Sequence, residues 1–208
     1  MARAFTRFCF TPSVMEMQKE QGASGVTSSL LHDQADAFDI LTKTEAEFIA
    51  ARDGFYQSTV TETGWPYVQY RGGPTGFLKV IDNKTIAYAD YSGNRQYLSD
   101  GNLRKNNRVS LLLMDYLNQR RLKIWGQVLL VDSREKPEII AELHNADYKA
   151  LPERAVIISI EAFDWNCPRH IHQRFTHAEI EPEIKKYKDE IEKLREENEI
   201  LKKQLEQK

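Results

Sequence analysis

Short apolar runs recur along the first four-fifths of the chain, each bounded by Gly, Pro, Asp or Asn. They are FYQSTVT (55–61), YVQYR (67–71), GFLKVI (76–81), TIAYAD (85–90), RVSLLLMDY (108–116), RLKIWGQVLLVD (121–132) and AVIISIEAFDW (155–165). β-Branched and aromatic residues dominate them, which predicts strands. Glu62-Thr63-Gly64-Trp65 and Asp82-Asn83-Lys84 are short enough to be hairpin turns. Connections this short exclude the crossovers of a parallel sheet, so the pattern predicts an antiparallel barrel of six or more strands with few helices.

Helix signals flank the strands. Thr11-Pro12-Ser13 reads as an N-cap with Pro at the first helical position, and the helix runs to about Gln21 with Gly22 as its stop. Residues 22–36, rich in Gly, Ser and Thr, read as a surface connection. Thr42-Lys43-Thr44-Glu45 fits a capping box and starts a short helix that ends near Gly54. Further helices are expected over 94–106, with a break around Gly101, and over 134–149.

The last thirty residues follow a different period. Ile184, Tyr187, Ile191, Leu194, Asn198, Leu201 and Leu205 are spaced alternately by three and four, with Glu and Lys filling most other positions. This is a heptad seam, and Asn198 at an a position favours a parallel, two-stranded register. A single solvated helix held by charge pairs is the alternative. The chain therefore divides into a body, residues 1–178, and a coiled-coil tail, residues 179–208.

Composition narrows the function. Of 208 residues, 29 are Lys or Arg and 31 Asp or Glu, for a net charge of −2, so a general polyanion-binding surface is not expected. No apolar run is long enough to span a bilayer, and the N-terminal stretch lacks the apolar core of a secretory signal. The two cysteines, Cys9 and Cys167, are far apart, which suits a reducing cytoplasm.

Common nucleotide motifs are absent: there is no G-x-G-x-x-G and no P-loop. Cys167, His170 and His172 lie close together, but their spacing matches no established zinc pattern and no metal is expected. More informative are the arginines at strand ends. Arg71 precedes Gly72-Gly73-Pro74, Arg95 follows Gly93-Asn94, Arg120 and Arg121 begin a long strand, and Arg169 and Arg174 follow the last one. A guanidinium fork suits a phosphate, and adjacent glycines permit close backbone approach. Tyr67, Tyr70, Tyr88, Tyr91 and Trp165 lie on or beside the same strands. Such aromatics either line a slot for a conjugated ring or fill the core of a small barrel.

The segments GWPYVQYRGGPTGFLKVID, YADYSGNRQYLSDGNL, RVSLLLMDYLNQRRLKIWGQV and FDWNCPRHIHQRFT carry a resemblance. Over about residues 4–178 the chain resembles the FMN-binding split-barrel family typified by pyridoxamine 5′-phosphate oxidase. The resemblance implies a mainly β fold, a six-stranded antiparallel split barrel with flanking helices, here followed by the coiled-coil helix. It also implies a cytoplasmic homodimer with FMN at the interface, bound by both subunits, acting as an oxidoreductase on a small molecule. Membrane and nucleic acid are not implied as partners.

The family's flavin-phosphate arginine falls at Gln69, with Tyr70, Arg71 and Gly72 following, so that Arg71 takes over the charge from a shifted place. The family's next strand ends in Tyr-Thr and leads to Ser-Arg-Lys; this chain has Tyr88-Ala89 and then Gly93-Asn94-Arg95, which puts Arg95 at a phosphate-binding lysine. Arg121 stands where a glutamine contacts the flavin, and Trp165 and Arg174 match further flavin contacts. His172 would face the substrate, and His170 replaces an arginine that holds the substrate phosphate. The flavin positions are thus better matched than those for vitamin B6 chemistry. A non-catalytic flavin carrier, or a barrel holding a deazaflavin or haem, is the alternative.

Overall fold

The computed structural model describes residues 3–32, 38–165 and 167–206. These fall into two compact units: Met1–Asp115 with Arg120–Arg169, and Tyr116–Gln119 with His170–Lys208.

Seven strands form the first unit: β1 (Gly54–Val60), β2 (Pro66–Gly72), β3 (Lys79–Asp82), β4 (Thr85–Tyr91), β5 (Arg108–Asp115), β6 (Arg120–Asp132) and β7 (Pro152–Trp165). All pairings are antiparallel, in the order β2-β1-β5-β6-β7-β4-β3. The seven correspond to the seven apolar runs, one more than the six that the resemblance implied. The short β3 begins at Lys79 because Gly76, at φ 78°, turns the chain first.

The sheet curls on itself. β1 and β4 are separated by three strands in the sheet order, yet the Phe55 and Tyr88 rings lie 5.4 Å apart and the Tyr88 hydroxyl donates to Gln57 Oε1 at 2.7 Å. The enclosed core is Phe55, Ile86, Tyr88, Leu111, Leu113, Leu122, Ile124, Val156 and Ile158, all essentially inaccessible. β1 and β5 alternate buried and half-exposed positions, as expected for strands with one face inward. β4 is buried on both faces, because its outer residues Ala87 and Ala89 are covered by Ile140 and Leu143 of the helix Pro137–Leu143.

Helix boundaries follow local chemistry closely. Thr11 accepts from Val14 N over Pro12, opening the helix Pro12–Glu20. Thr42 and Glu45 complete the capping box of Lys43–Ala50, and Trp165 Nε1 donates to Glu45 at 2.6 Å. Three segments differ from the sequence reading. Ser24–His32 is helical rather than a connection, because Leu30 packs against the cluster of Ala4, Phe5 and Ala162; the remainder of the expected connection, 33–36, lies outside the described residues. The helix expected over 134–149 is shorter, Pro137–Leu143, and the one over 94–106 is confined to Leu98–Lys105.

The second unit joins the β5–β6 turn to the C-terminal segment. Gln119 donates to Ile171 O at 2.6 Å, Gln173 donates to Leu117 O at 2.9 Å, and the Arg174 guanidinium lies 4.9 Å from the Tyr116 ring. The helix His177–Glu206 follows, capped reciprocally by Thr176 and Glu179. None of the described helices is long and apolar enough to cross a membrane.

Two glycines give opposite expectations for stability. A Cβ on Gly126 would lie 2.5 Å from Ser159 O and 2.7 Å from Ile158 Cγ2, where the β6–β7 register shifts. Gly126→Ala is expected to destabilise by about 1–3 kcal/mol. Gly101, inside a helix with nothing within 4 Å of its Cβ position, is the converse. Gly101→Ala should stabilise by up to about 1 kcal/mol. Urea unfolding of both variants checks the pair.

Candidate functional site

The curl brings β2, β4, the start of β7 and the helix Leu98–Lys105 around one buried ion cluster. Alternation along β2 turns Gln69 and Arg71 inward, opposite the face that carries the half-exposed Tyr70. Arg71 Nη1 meets Asp90 Oδ1 at 2.6 Å, and Arg154 Nη1 meets Asp90 Oδ2 at 3.0 Å. Arg154 also binds Asp100, which lies 3.9 Å from Arg71 Nη2. Two guanidiniums thus face two carboxylates, with Arg154 also reaching Glu153 at 3.1 Å.

Burial sets the electrostatics. Desolvation pushes the Asp90 carboxyl above its ordinary range, against the pull of Arg71 and Arg154. Desolvation also acts to lower Arg71, but Tyr88, Asp90 and Asp100 more than offset it, so the guanidinium stays charged. Tyr88 is raised by its own burial and remains a neutral hydroxyl donor.

A hollow of about 180 Å³ opens above the cluster, lined by Gln69, Arg71, Asn94, Arg95, Gln96, Ser99 and Arg154, among others. Ser99 donates to Gln69 at 2.9 Å, fixing the amide at the wall. Arg71 Nε is buried with no hydrogen-bond partner among the described residues. Arg95 is exposed, at φ 63°, and no described residue pairs with its guanidinium. A second hollow of about 250 Å³ shares Gln69, Arg71, Asp90 and Gly93, and continues past Tyr70, Gly72, Tyr88 and Ala89.

Eight of the sequence-derived flavin positions therefore meet here: Gln69, Tyr70, Arg71, Gly72, Tyr88, Ala89, Asn94 and Arg95. Tyr70 and Tyr88 enter in different ways. The Tyr70 ring lies over Gly54 and Gly72, where any Cβ would collide with it, while Tyr88 is a core residue whose edge closes the floor.

Arg121 and Trp165 line neither hollow. Arg121 Nη2 donates to Cys167 O at 3.3 Å, and Trp165 packs on Phe48 with ring centroids 4.8 Å apart. His170, His172 and Arg174 belong to the second unit. Asp90, Asp100 and Arg154 were not anticipated. The signal in the sequence is a charge near the end of an apolar strand for Asp90 and Arg154, which stand directly opposite each other in the β4–β7 register, while Asp100 lies in the helix Leu98–Lys105 and carries no such mark.

Fold and site together define a curled antiparallel barrel with a polar hollow lined by arginines and carboxylates. A family model for pyridoxamine 5′-phosphate oxidase matches residues 41–165, and the chain belongs to that family. Among solved structures it is similar to a variant of HupZ from Group A Streptococcus, at 14% identity and TM-score 0.50, covering 61% of this chain and 100% of that one. It is also similar to a putative pyridoxamine 5′-phosphate oxidase from Lactobacillus delbrueckii (18% identity, TM-score 0.46, 61% and 94% covered). An FMN-binding protein from Syntrophomonas wolfei is a further match (14% identity, TM-score 0.45, 74% and 97% covered). No curated protein matches the chain.

The ion cluster gives a stability test. Asp90→Asn leaves two buried guanidiniums short of a charge and is expected to destabilise by about 3–5 kcal/mol. Asp132→Asn is the control, since its partner Arg134 is 87% exposed. It should change stability by less than about 1 kcal/mol. Equal effects in urea unfolding would contradict the assignment.

Proposed function

We propose that this chain is an FMN-binding flavoprotein that works as a homodimer, with an oxidoreductase activity on a small molecule. The observation that carries the reading is the pair of arginines at the first hollow. Arg95 is exposed with no partner among the described residues, and the neighbouring Arg71 has a buried Nε without an acceptor among them. The residues present fit the phosphate end of FMN: Arg95 supplies an unshared charge, and Asn94 and Gln96 supply amide groups at the same wall. Arg71 is already neutralised by Asp90, so its part is to donate through Nε and to hold the wall in place.

The ring would lie along the second hollow, against the backbone of 69–72 and 88–89. FMN supplies the redox chemistry when bound, and the protein supplies orientation and electrostatics. Arg121 and Trp165, which do not line either hollow, and Arg174 are assigned to the second copy's side of the same cofactor. Arg121 there offers positive charge to the ring, and His170 and His172 are assigned to the substrate.

The outer side of the β1–β2 hairpin supports the homodimer reading. On the outer side of the β1–β2 hairpin, Tyr56 stands opposite Tyr70 and Ser58 opposite Val68, and Trp65 at the turn is 73% exposed. A contiguous exposed apolar face of this kind marks an interface. The tail, as a parallel two-stranded coil, would add a second contact between the copies.

Purified protein is expected to be yellow, or to become so on adding FMN. Arg95→Ala should weaken FMN binding roughly 10- to 100-fold, the equivalent of one charge-assisted hydrogen bond. A flavin-fluorescence titration measures it. A colourless protein that takes up no added FMN would contradict the reading. Reduction of the bound flavin by NAD(P)H or pyridoxamine phosphate separates an oxidoreductase from a carrier.

A further inference from the structure

We infer that the helix His177–Glu206 pairs with the same helix of a second copy of this chain, parallel and in register, and that the charges beside its seam select that arrangement over every other. The inference deepens the homodimer reading above and rests on it for the identity of the partner.

The apolar seam has no cover among the described residues of the chain. Tyr187, Ile191, Leu194 and Leu201 are each at least half exposed, and Leu205 is 73% exposed. No residue of this helix is buried. With Ile184, Ile191, Asn198 and Leu205 at a and Tyr187, Leu194 and Leu201 at d, the flanking positions follow. The g positions are Glu183, Glu190, Glu197 and Gln204, and the e positions are Lys188, Arg195 and Lys202. Every charged g residue is thus acidic and every e residue basic over the three heptads of the seam, with only Gln204 neutral.

This separation chooses a geometry. In a parallel, in-register pair, each g residue faces the e residue five positions later on the other helix. Glu183 then meets Lys188, Glu190 meets Arg195 and Glu197 meets Lys202, once from each copy. In an antiparallel pair g faces g and e faces e, so glutamates would confront glutamates and the basic residues one another. Asn198 points the same way independently, since a faces a only in the parallel register, where the two amides can bond to each other.

The charges are free for this use. Among the described residues, only Lys202 of the six has an ion partner within its own helix, Glu199 at 3.2 Å. The sequence between Ile184 and Leu205 therefore carries a seam, a register mark and an orientation code that a second copy of the same chain satisfies.

Cross-linking of the full chain tests this. In a Cys9→Ser, Cys167→Ser background, Leu205→Cys places a thiol at the last a position. In a glutathione redox buffer this variant should run mainly as a disulfide-linked dimer. Adding Glu183→Lys, Glu190→Lys and Glu197→Lys should reduce the link at least fivefold. Mixing that chain with one carrying Leu205→Cys, Lys188→Glu, Arg195→Glu and Lys202→Glu should restore it as a mixed dimer. No link, a link unaffected by charge reversal, or a link from Cys at 205 to Cys at 184 in a mixture with Ile184→Cys would overturn the inference. Sedimentation of the same samples separates the two readings: an unlinked dimer removes only the tail pairing, and an unlinked monomer removes the homodimer with it.

Discussion

The cluster of Arg71, Asp90, Asp100 and Arg154 is the constraint on which the rest of the body depends. Its members come from β2, β4, a helix and β7, and β2 and β4 lie near opposite ends of the sheet order. Buried charges are tolerated only when paired, so the sheet must curl until these groups meet. The same contact closes the body and forms the floor of the hollow. Arg71 and Arg154 are paired with Asp90 and Asp100, whereas Arg95 at the wall has no ion partner among the described residues.

Packing reinforces the closure. Tyr88 fills the centre beneath the cluster and spends its hydroxyl on Gln57 of β1, the strand beside β2. Ala87 and Ala89 are small enough to let the helix Pro137–Leu143 lie flat on the outer face of β4. The strand bearing Asp90 is therefore gripped on both sides. Backbone at 88–89, which the proposed ring would lie against, is held between the same contacts.

Local signals were legible in the sequence wherever the physics was local. The seven apolar runs each became a strand, and Thr11 and Thr42 each capped the helix they announced. The helix Ser24–His32 was not legible, because Ser, Thr and Gly carry weak helix propensity and its support is the distant contact of Leu30 with Ala4, Phe5 and Ala162. The site divides in the same way. Gln69 to Gly72, Tyr88-Ala89 and Asn94-Arg95 were found from the family resemblance, and they lie around one pair of hollows. Asp90, Asp100 and Arg154 were missed because their pairing exists only once four separate elements have come together. No spacing in the chain announces it.

The central claim is that the anionic end of the cofactor is what this hollow holds. Calorimetric titration of the purified protein with FMN and with riboflavin, which lacks only the phosphate, tests it most directly. The account predicts that FMN binds at least about 100-fold more tightly, the effect of removing charge-assisted hydrogen bonds from the Arg95 wall. Equal affinity for the two flavins would contradict it.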